Sequence, residues 1–156
     1  MSIKHLMLGA GCFWGVELDF SKQPGVIETA VGYAGGNTES PNYEQVCRTE
    51  TMHAEVVLIT FDDELTSRQT LLEYFFSMHN PTTLNRQGPD SGTQYRSVIF
   101  YENQDEKIAA ESIIEKQQAN FNQPIVTTLE EMAVFWRAEE YHQQYFKKRG
   151  INQGCH

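Results

Sequence analysis

The sequence predicts a two-layer α+β fold, built as one domain. Three observations on its 156 residues predict it. Segments with strand periodicity interleave with segments of helical periodicity. One strand, 54–61, is apolar on both faces, with Val57, Ile59 and Phe61 on one and Val56 and Leu58 on the other, which marks a central, buried strand. No strand runs into a phosphate-type glycine loop, which weighs against a fully parallel, doubly wound sheet. A chain of this length buries a real core, and no repeat, low-complexity run or second domain interrupts it.

In chain order, residues 3–9 read as a strand and 12–22 as a helix, with Phe13, Glu17 and Phe20 on one face and Trp14 and Leu18 on another. Residues 26–34 read as a strand ending in Gly32-Tyr33-Ala34-Gly35-Gly36, and 37–52 as a polar, turn-rich connection. After strand 54–61, Thr66 or Ser67 caps a helix carrying Leu71, Leu72, Phe75, Phe76 and Met78. Residues 80–94 form a long loop of the kind that is functional or disordered. A strand over 95–101 precedes a helix opened by Asn103 and Glu106, which runs to about Asn120. Short strands are expected at 125–129 and 132–136, and a last helix over 138–149 with basic residues at its end. The domain is thus expected to span 1–149, with 150–156 a flexible tail.

The chain carries 21 acidic and 12 basic residues, a net charge of −9, which argues against a nucleic-acid or anionic-membrane surface. Its apolar runs are too short to span a bilayer, and Met1-Ser2-Ile3-Lys4-His5 has no signal-peptide layout, so a cytoplasmic protein is expected. Three widely spaced cysteines, Cys12, Cys47 and Cys155, make neither a disulfide framework nor a Cys-x-x-Cys metal site. In a reducing compartment they are structural thiols or redox workers.

Cys12 is the most informative residue. It lies in Gly11-Cys12-Phe13-Trp14-Gly15, between a strand and a helix. A cysteine there faces the helix's unpaired N–H groups and the positive end of its dipole, both of which favour the thiolate. The alternative is a small buried core residue. Glu55 begins the most apolar strand, on the side of Val57 and Ile59. A carboxyl entering a core is desolvated, its pKa rises, and it can serve as a general acid; a strand-end glutamate more commonly reaches solvent.

Tyr33 and Tyr95 each adjoin a turn, and a phenol there either hydrogen-bonds a polar ligand oxygen or packs with its OH outward. Asp90 either orients Glu55 or a substrate amine, or forms the turn Pro89-Asp90-Ser91-Gly92. His53 points to the side of Glu55, and His79 ends a helix. Cys155 sits on the tail, which reaches at most roughly 18–20 Å from Gly150. It is a resolving thiol for an oxidised Cys12 or an inert surface cysteine, and Cys47 reads as structural. Two rival classes use the same residues. One is a cysteine hydrolase with Cys12, His53 or His79, and Asp90. The other is a thiol or metal module using Cys12, Cys47, Cys155 and His156, at spacings poor for zinc.

Five segments in order, Gly11-Cys12-Phe13-Trp14-Gly15, Gly32-Tyr33-Ala34-Gly35-Gly36, His53-Ala54-Glu55, His79-Asn80-Pro81-Thr82 and Asp90-Ser91-Gly92-Thr93-Gln94-Tyr95-Arg96-Ser97, give a chain that resembles the A-type peptide methionine sulfoxide reductases from Leu6 to the tail. The resemblance implies a mixed sheet with a ferredoxin-like core. It implies reduction of methionine-S-sulfoxide, free or in oxidised proteins, with Cys12 as nucleophile and Glu55 as the acid that protonates the sulfoxide oxygen. Tyr33 and Tyr95 would hydrogen-bond that oxygen, Phe13 and Trp14 would cradle the ε-methyl, and Asp90 would support the carboxyl and the substrate main chain. Cys12 would pass through a sulfenic acid to a Cys12–Cys155 disulfide reset by thioredoxin, with no metal or organic cofactor, in a monomer. The chain departs from the pattern at Met52, where glycine is usual, at Asn80, where aspartate is also common, and in a tail lacking the usual Tyr-Cys pair and a second cysteine.

Overall fold

The computed structural model describes residues 2–48 and 51–150. The chain opens with β1 (Ile3–Ala10), turns at Gly11 into α1 (Phe13–Ser21) and returns as β2 (Val26–Ala34). A short α2 (Tyr43–Arg48) leads to β3 (Ala54–Asp62) and α3 (Arg68–Met78). A small hairpin of β4 (Arg86–Gln87) and β5 (Asp90–Ser91), then a 3-10 turn over Thr93–Tyr95, enters β6 (Ser97–Tyr101). The remainder is α4 (Gln104–Gln117), β7 (Thr128–Glu131), β8 (Trp136–Arg137) and α5 (Tyr145–Lys148).

The helix starts follow side-chain chemistry. Ser67 Oγ accepts the Thr70 N–H at 3.0 Å and Asn103 Oδ1 accepts the Glu106 N–H at 2.9 Å. Glu106 returns the favour by accepting the Glu102 N–H. Each such cap is worth about 1 kcal/mol.

The six-stranded sheet has the order β7-β6-β1-β3-β2-β8. β3 is antiparallel to both β1 and β2, so those two run parallel, and β1 is antiparallel to β6. The crossovers β1-α1-β2 and β3-α3-β6 therefore make the ferredoxin-like core that the resemblance implies, extended by β7 parallel to β6 and by β8 on β2. One sheet face packs Leu6, Leu8, Val57 and Ile59 against Phe13, Val16 and Phe20 of α1, Leu72, Phe75 and Phe76 of α3 and Ile113 of α4. The other face, with Met7, Val56, Val98 and Phe100, is covered by Met132, Ala133 and Phe135. β3 is thus central and buried on both sides, as its composition predicts. No helix among the described residues is long and apolar enough to cross a membrane.

Four expectations need correcting. The connection 37–52 holds a helix, α2, started by a reciprocal pair: Asn42 Oδ1 accepts the Gln45 N–H at 2.8 Å and Gln45 Oε1 accepts the Asn42 N–H at 3.1 Å. This is a capping box with asparagine in the first position. The loop 80–94 is ordered by Gln87, whose amide accepts the Asn80 N–H at 3.0 Å and donates to the Asn80 carbonyl at 2.8 Å. The short strands lie later than expected, at 128–131 and 136–137.

The helix expected over 138–149 is broken into a 3-10 turn, Glu140–His142, and the four-residue α5. Tertiary hydrogen bonds win over propensity there. The Gln143 amide acts as a surrogate edge strand, accepting the Val31 N–H and donating to the Val31 and Ala138 carbonyls at 2.9–3.0 Å. Gln144 takes the left-handed conformation, φ 55°. Apart from Gly150, the tail 150–156 and with it Cys155 lies outside the described residues.

Met52 also adopts positive φ, 63°, which explains why glycine suits the position. Its carbonyl accepts from Arg96 Nη1 at 2.9 Å, and the same guanidinium binds the Thr93 carbonyl at 3.0 Å and Glu130 at 3.0 Å. A left-handed non-glycine residue costs about 1–2 kcal/mol, of which glycine returns about 0.5–1 kcal/mol as unfolded-state entropy. Met52→Gly should therefore stabilise the protein by about 0.5–1 kcal/mol, a Tm rise of about 1–4 °C. Urea and thermal melts check this, and an unchanged or lowered Tm would contradict it.

Candidate active site

The sheet order brings four strand ends to one edge: the C-terminal ends of β1 and β2 and the N-terminal ends of β3 and β6. Cys12 follows β1, Tyr33 lies near the end of β2 directly across from Glu55 on β3, and Tyr95 immediately precedes β6. Cys12 is half-buried and caps α1, its carbonyl accepting the Val16 N–H. Gly11 has φ 98°, and a Cβ there would stand 2.7 Å from the Gln87 side chain. Glycine thus permits both the turn into α1 and the close approach of the β4–β5 hairpin that carries Asp90.

Glu55 is 1% exposed. Burial pushes its carboxyl up, the Phe13 N–H pulls it back, and the nearby Asp90 charge raises it again, leaving it at about 8. The Phe13 N–H donates to Oε1 at 3.2 Å, while Oε2 is buried with no hydrogen-bond partner among the described residues. The acid therefore stays protonated at neutral pH and keeps one oxygen uncommitted. Asp90 is half-buried on β5, close enough for its charge to act on Glu55.

Tyr95 gathers the site around it. Burial raises its phenol, followed by the charges of Glu55, Cys47, Asp90 and Cys12. The Cys47 thiol lies close enough to Tyr95 and Tyr43 for both phenols to act on its pKa. Cys47, read as structural, thus lies beside the site rather than within the core. Tyr33 is fully buried, and its hydroxyl donates to Glu139 Oε1 at 3.1 Å. Its phenol is raised by burial first and then by Glu139. Burial pushes the Glu139 carboxyl up, but hydrogen bonds from its own and the Tyr43 backbone N–H and from Tyr33 outweigh that and hold it below the usual range.

Phe13 is buried against Tyr33, ring centroids 5.7 Å apart, and against His142 at 5.3 Å. The Trp14 indole N–H donates to His142 Nδ1 at 2.9 Å, and its face stacks on Tyr145 at 3.8 Å and 7°. Burial lowers the His142 pKa against the opposing charge of Glu139, so the ring is neutral. Tyr43, Glu139, His142 and Tyr145 were not foreseen. A continuous helix over 138–149 would space the last three at i, i+3 and i+6 along one face, but names none of their partners. The sequence signal was the density of aromatic and amide residues in Tyr141-His142-Gln143-Gln144-Tyr145-Phe146.

The two histidines weighed for a hydrolase are committed elsewhere. His53 accepts the Gly36 N–H at 3.0 Å and bonds the Thr38 carbonyl at 2.6 Å, and His79 bridges the Phe75 carbonyl and Ser97 Oγ. His53 thus uses both ring nitrogens to hold the loop after β2, and His79 uses both to join α3 to β6, which leaves no base for Cys12 from either.

A family model described as peptide methionine sulfoxide reductase matches residues 4–156. The peptide methionine sulfoxide reductase MsrA of Methanoculleus marisnigri is 53% identical over 154 residues, 97% of this chain and 94% of that protein. The crystal structure of reduced Mxr1 from Saccharomyces cerevisiae superimposes with a TM-score of 0.90 at 36% identity, covering 98% of this chain and 89% of the yeast one. Mxr1 in complex with Trx2 matches with a TM-score of 0.63 at 25% identity, covering 92% and 84%. The matching model, the extent of identity and the shared fold all carry one conclusion: the chain belongs to the peptide methionine sulfoxide reductase family and is an oxidoreductase acting on methionine sulfoxide.

Proposed function

We propose that the chain reduces methionine-S-sulfoxide with Cys12 as nucleophile and Glu55 as general acid. The observation that carries this reading is a protonated, buried carboxyl held against the first N–H of the helix that Cys12 caps. The thiolate attacks the sulfoxide sulfur while Glu55 delivers its proton to the oxygen. The oxygen passes from the substrate sulfur to Cys12: its bond to the substrate sulfur and the transient sulfur–sulfur bond break, a new S–O bond forms on Cys12, and methionine leaves with Cys12 as a sulfenic acid, a two-electron oxidation that balances the reduction of substrate.

Tyr95, within the field of both Cys12 and Glu55, is the phenol whose position best suits the developing oxygen charge. Tyr33 can assist once its hydroxyl turns from Glu139. Phe13 and Trp14 cradle the ε-methyl, and Asp90 adds to the effect of burial on Glu55 and holds the substrate main chain. Cys155 attacks the sulfenic sulfur, releases water and forms the Cys12–Cys155 disulfide, which thioredoxin reduces by exchange. The yeast Mxr1–Trx2 complex supports that last step. We take the protein as a cytoplasmic monomer, one catalytic domain with a C-terminal tail carrying the resolving cysteine, and with no metal or organic cofactor in the cycle. Free and protein-bound sulfoxide both serve as substrate.

A single turnover tests the cycle. Pre-reduced protein without added reductant should give about one methionine per chain from the S epimer and none from the R epimer, with two thiols lost. In Cys155→Ser only one should be lost. Methionine from neither epimer would overturn the reading, and loss of Cys12 alone in the parent would remove Cys155 from it. Glu55→Gln should slow the reduction step about 10²–10³-fold with the fold intact by circular dichroism; a parent-like rate rejects the acid role. The pH profile follows from the raised carboxyl. The proton is present below about 8 and lost above it, so the single-turnover rate should fall as pH rises through about 8. That limb should vanish in Glu55→Gln, and a flat parent profile to pH 10 would contradict the assignment.

A further inference from the structure

We propose that Glu17 is a positioning residue for the methyl-binding wall, acting through Gln144 to hold the indole of Trp14. Glu17 lies on α1 three residues beyond Trp14 and is 1% exposed. Its Oε1 accepts the Gln144 N–H at 2.7 Å, and its Oε2 accepts from Gln144 Nε2 at 3.0 Å and from Thr29 Oγ1 at 2.9 Å. Gln144 Nε2 closes the cluster on Thr29 Oγ1 at 2.9 Å. One carboxylate therefore ties α1, β2 and the C-terminal segment together.

The tie falls where the backbone is strained. Gln144 is left-handed, and a non-glycine residue persists there only if its surroundings over-determine it. On either side of Gln144 stand the two groups that fix the indole. His142 accepts the Trp14 Nε1–H, and Tyr145 stacks on its face, itself covered by the Arg149 guanidinium at 3.7 Å. Gln143 is anchored separately to Val31 and Ala138, so it fixes the height of the segment on the sheet but not the turn into α5. A buried carboxylate is a poor source of net stability, since burial opposes its ionised form, here partly offset by the Gln144 and Thr29 hydrogen bonds. What it supplies is direction: its two oxygens accept from the Gln144 N–H, Gln144 Nε2 and Thr29 Oγ1 together, which fixes the placement of those donors.

The inference rests on Trp14 forming the methyl wall, and the experiment separates the two. In a Trp136→Phe background Trp14 is the remaining tryptophan. KM and saturating rate are measured for a blocked methionine-S-sulfoxide with dithiothreitol as reductant, alongside urea stability and tryptophan emission. Glu17→Ala should raise KM about 5–10-fold with the saturating rate changed less than about 3-fold, and should shift the emission as the Tyr145 stack opens. Glu17→Gln, which keeps an acceptor for the Gln144 N–H, should recover most of the KM. Gln144→Gly keeps the left-handed turn but loses the amide, and should raise KM about 2–3-fold; it carries the test if Glu17→Ala does not fold. An unchanged KM in Glu17→Ala and Gln144→Gly, with only stability lowered and Trp14→Ala raising KM, overturns the inference and leaves the methyl wall standing. An unchanged KM in Trp14→Ala removes the wall and the inference with it.

Discussion

The contact on which the site depends is the 3.2 Å hydrogen bond from the Phe13 N–H to Glu55. A helix leaves its first N–H groups without intrahelical partners. Here one of them is given to a carboxyl that burial has made neutral. The two influences oppose each other: burial alone would hold the proton too tightly to release, and the hydrogen bond alone would strip it at neutral pH. Their balance, with Asp90 tipping it upward, sets the acid at about 8, where it can both keep and give a proton. Because the donor belongs to the residue after Cys12, the contact also fixes the acid relative to the thiol.

That contact requires a particular sheet. β3 must lie between β1 and β2 so that Glu55 faces the turn after β1 on one side and Tyr33 on the other. The backbones are close enough that a Cβ on Gly9 would stand 2.9 Å from the Glu55 carbonyl. Arg96 then fixes both entrances to the site, binding the Met52 carbonyl before β3 and the Thr93 carbonyl beneath Tyr95. The remaining wall comes from irregular chain, 138–146, held by the amides of Gln143 and Gln144 rather than by secondary structure. Held this way, the segment sets Glu139 on the Tyr33 hydroxyl and His142 and Tyr145 on the Trp14 indole.

The legible part of this protein was its regular part. Apolar periodicity located β1, α1, β2, β3 and α3, and the Ser67 and Asn103 caps located two helix starts, because those elements are set by local rules. Cys12 and Glu55 stood out because each breaks its surroundings, a thiol at a helix start and a carboxyl in an apolar strand. Residues whose meaning depends on distant partners were not legible. Gln143 and Gln144 look like solvent-facing helix residues until Val31, Thr29 and Glu17 are placed beside them. α2 was a different kind of miss: its capping box, Asn42 with Gln45, was present but hidden in a polar stretch.

The price of the site is visible in what it leaves unsatisfied. Two buried side-chain atoms find no hydrogen-bond partner among the described residues, Glu55 Oε2 and His142 Nε2. Both belong to the same aromatic cluster around Phe13. His142 takes the Trp14 proton bond at Nδ1, so in its neutral form it carries its own proton at Nε2. Glu55, neutral as well, carries its proton on a carboxyl oxygen. Each is thus a proton donor with no protein acceptor among the described residues. In the proposed mechanism a sulfoxide oxygen beside Glu55 would accept that hydrogen bond, most strongly as negative charge builds on the oxygen. On that proposal one property of Glu55, its burial, would both keep the acid protonated until substrate arrives and favour the charge-developing state over the ground state.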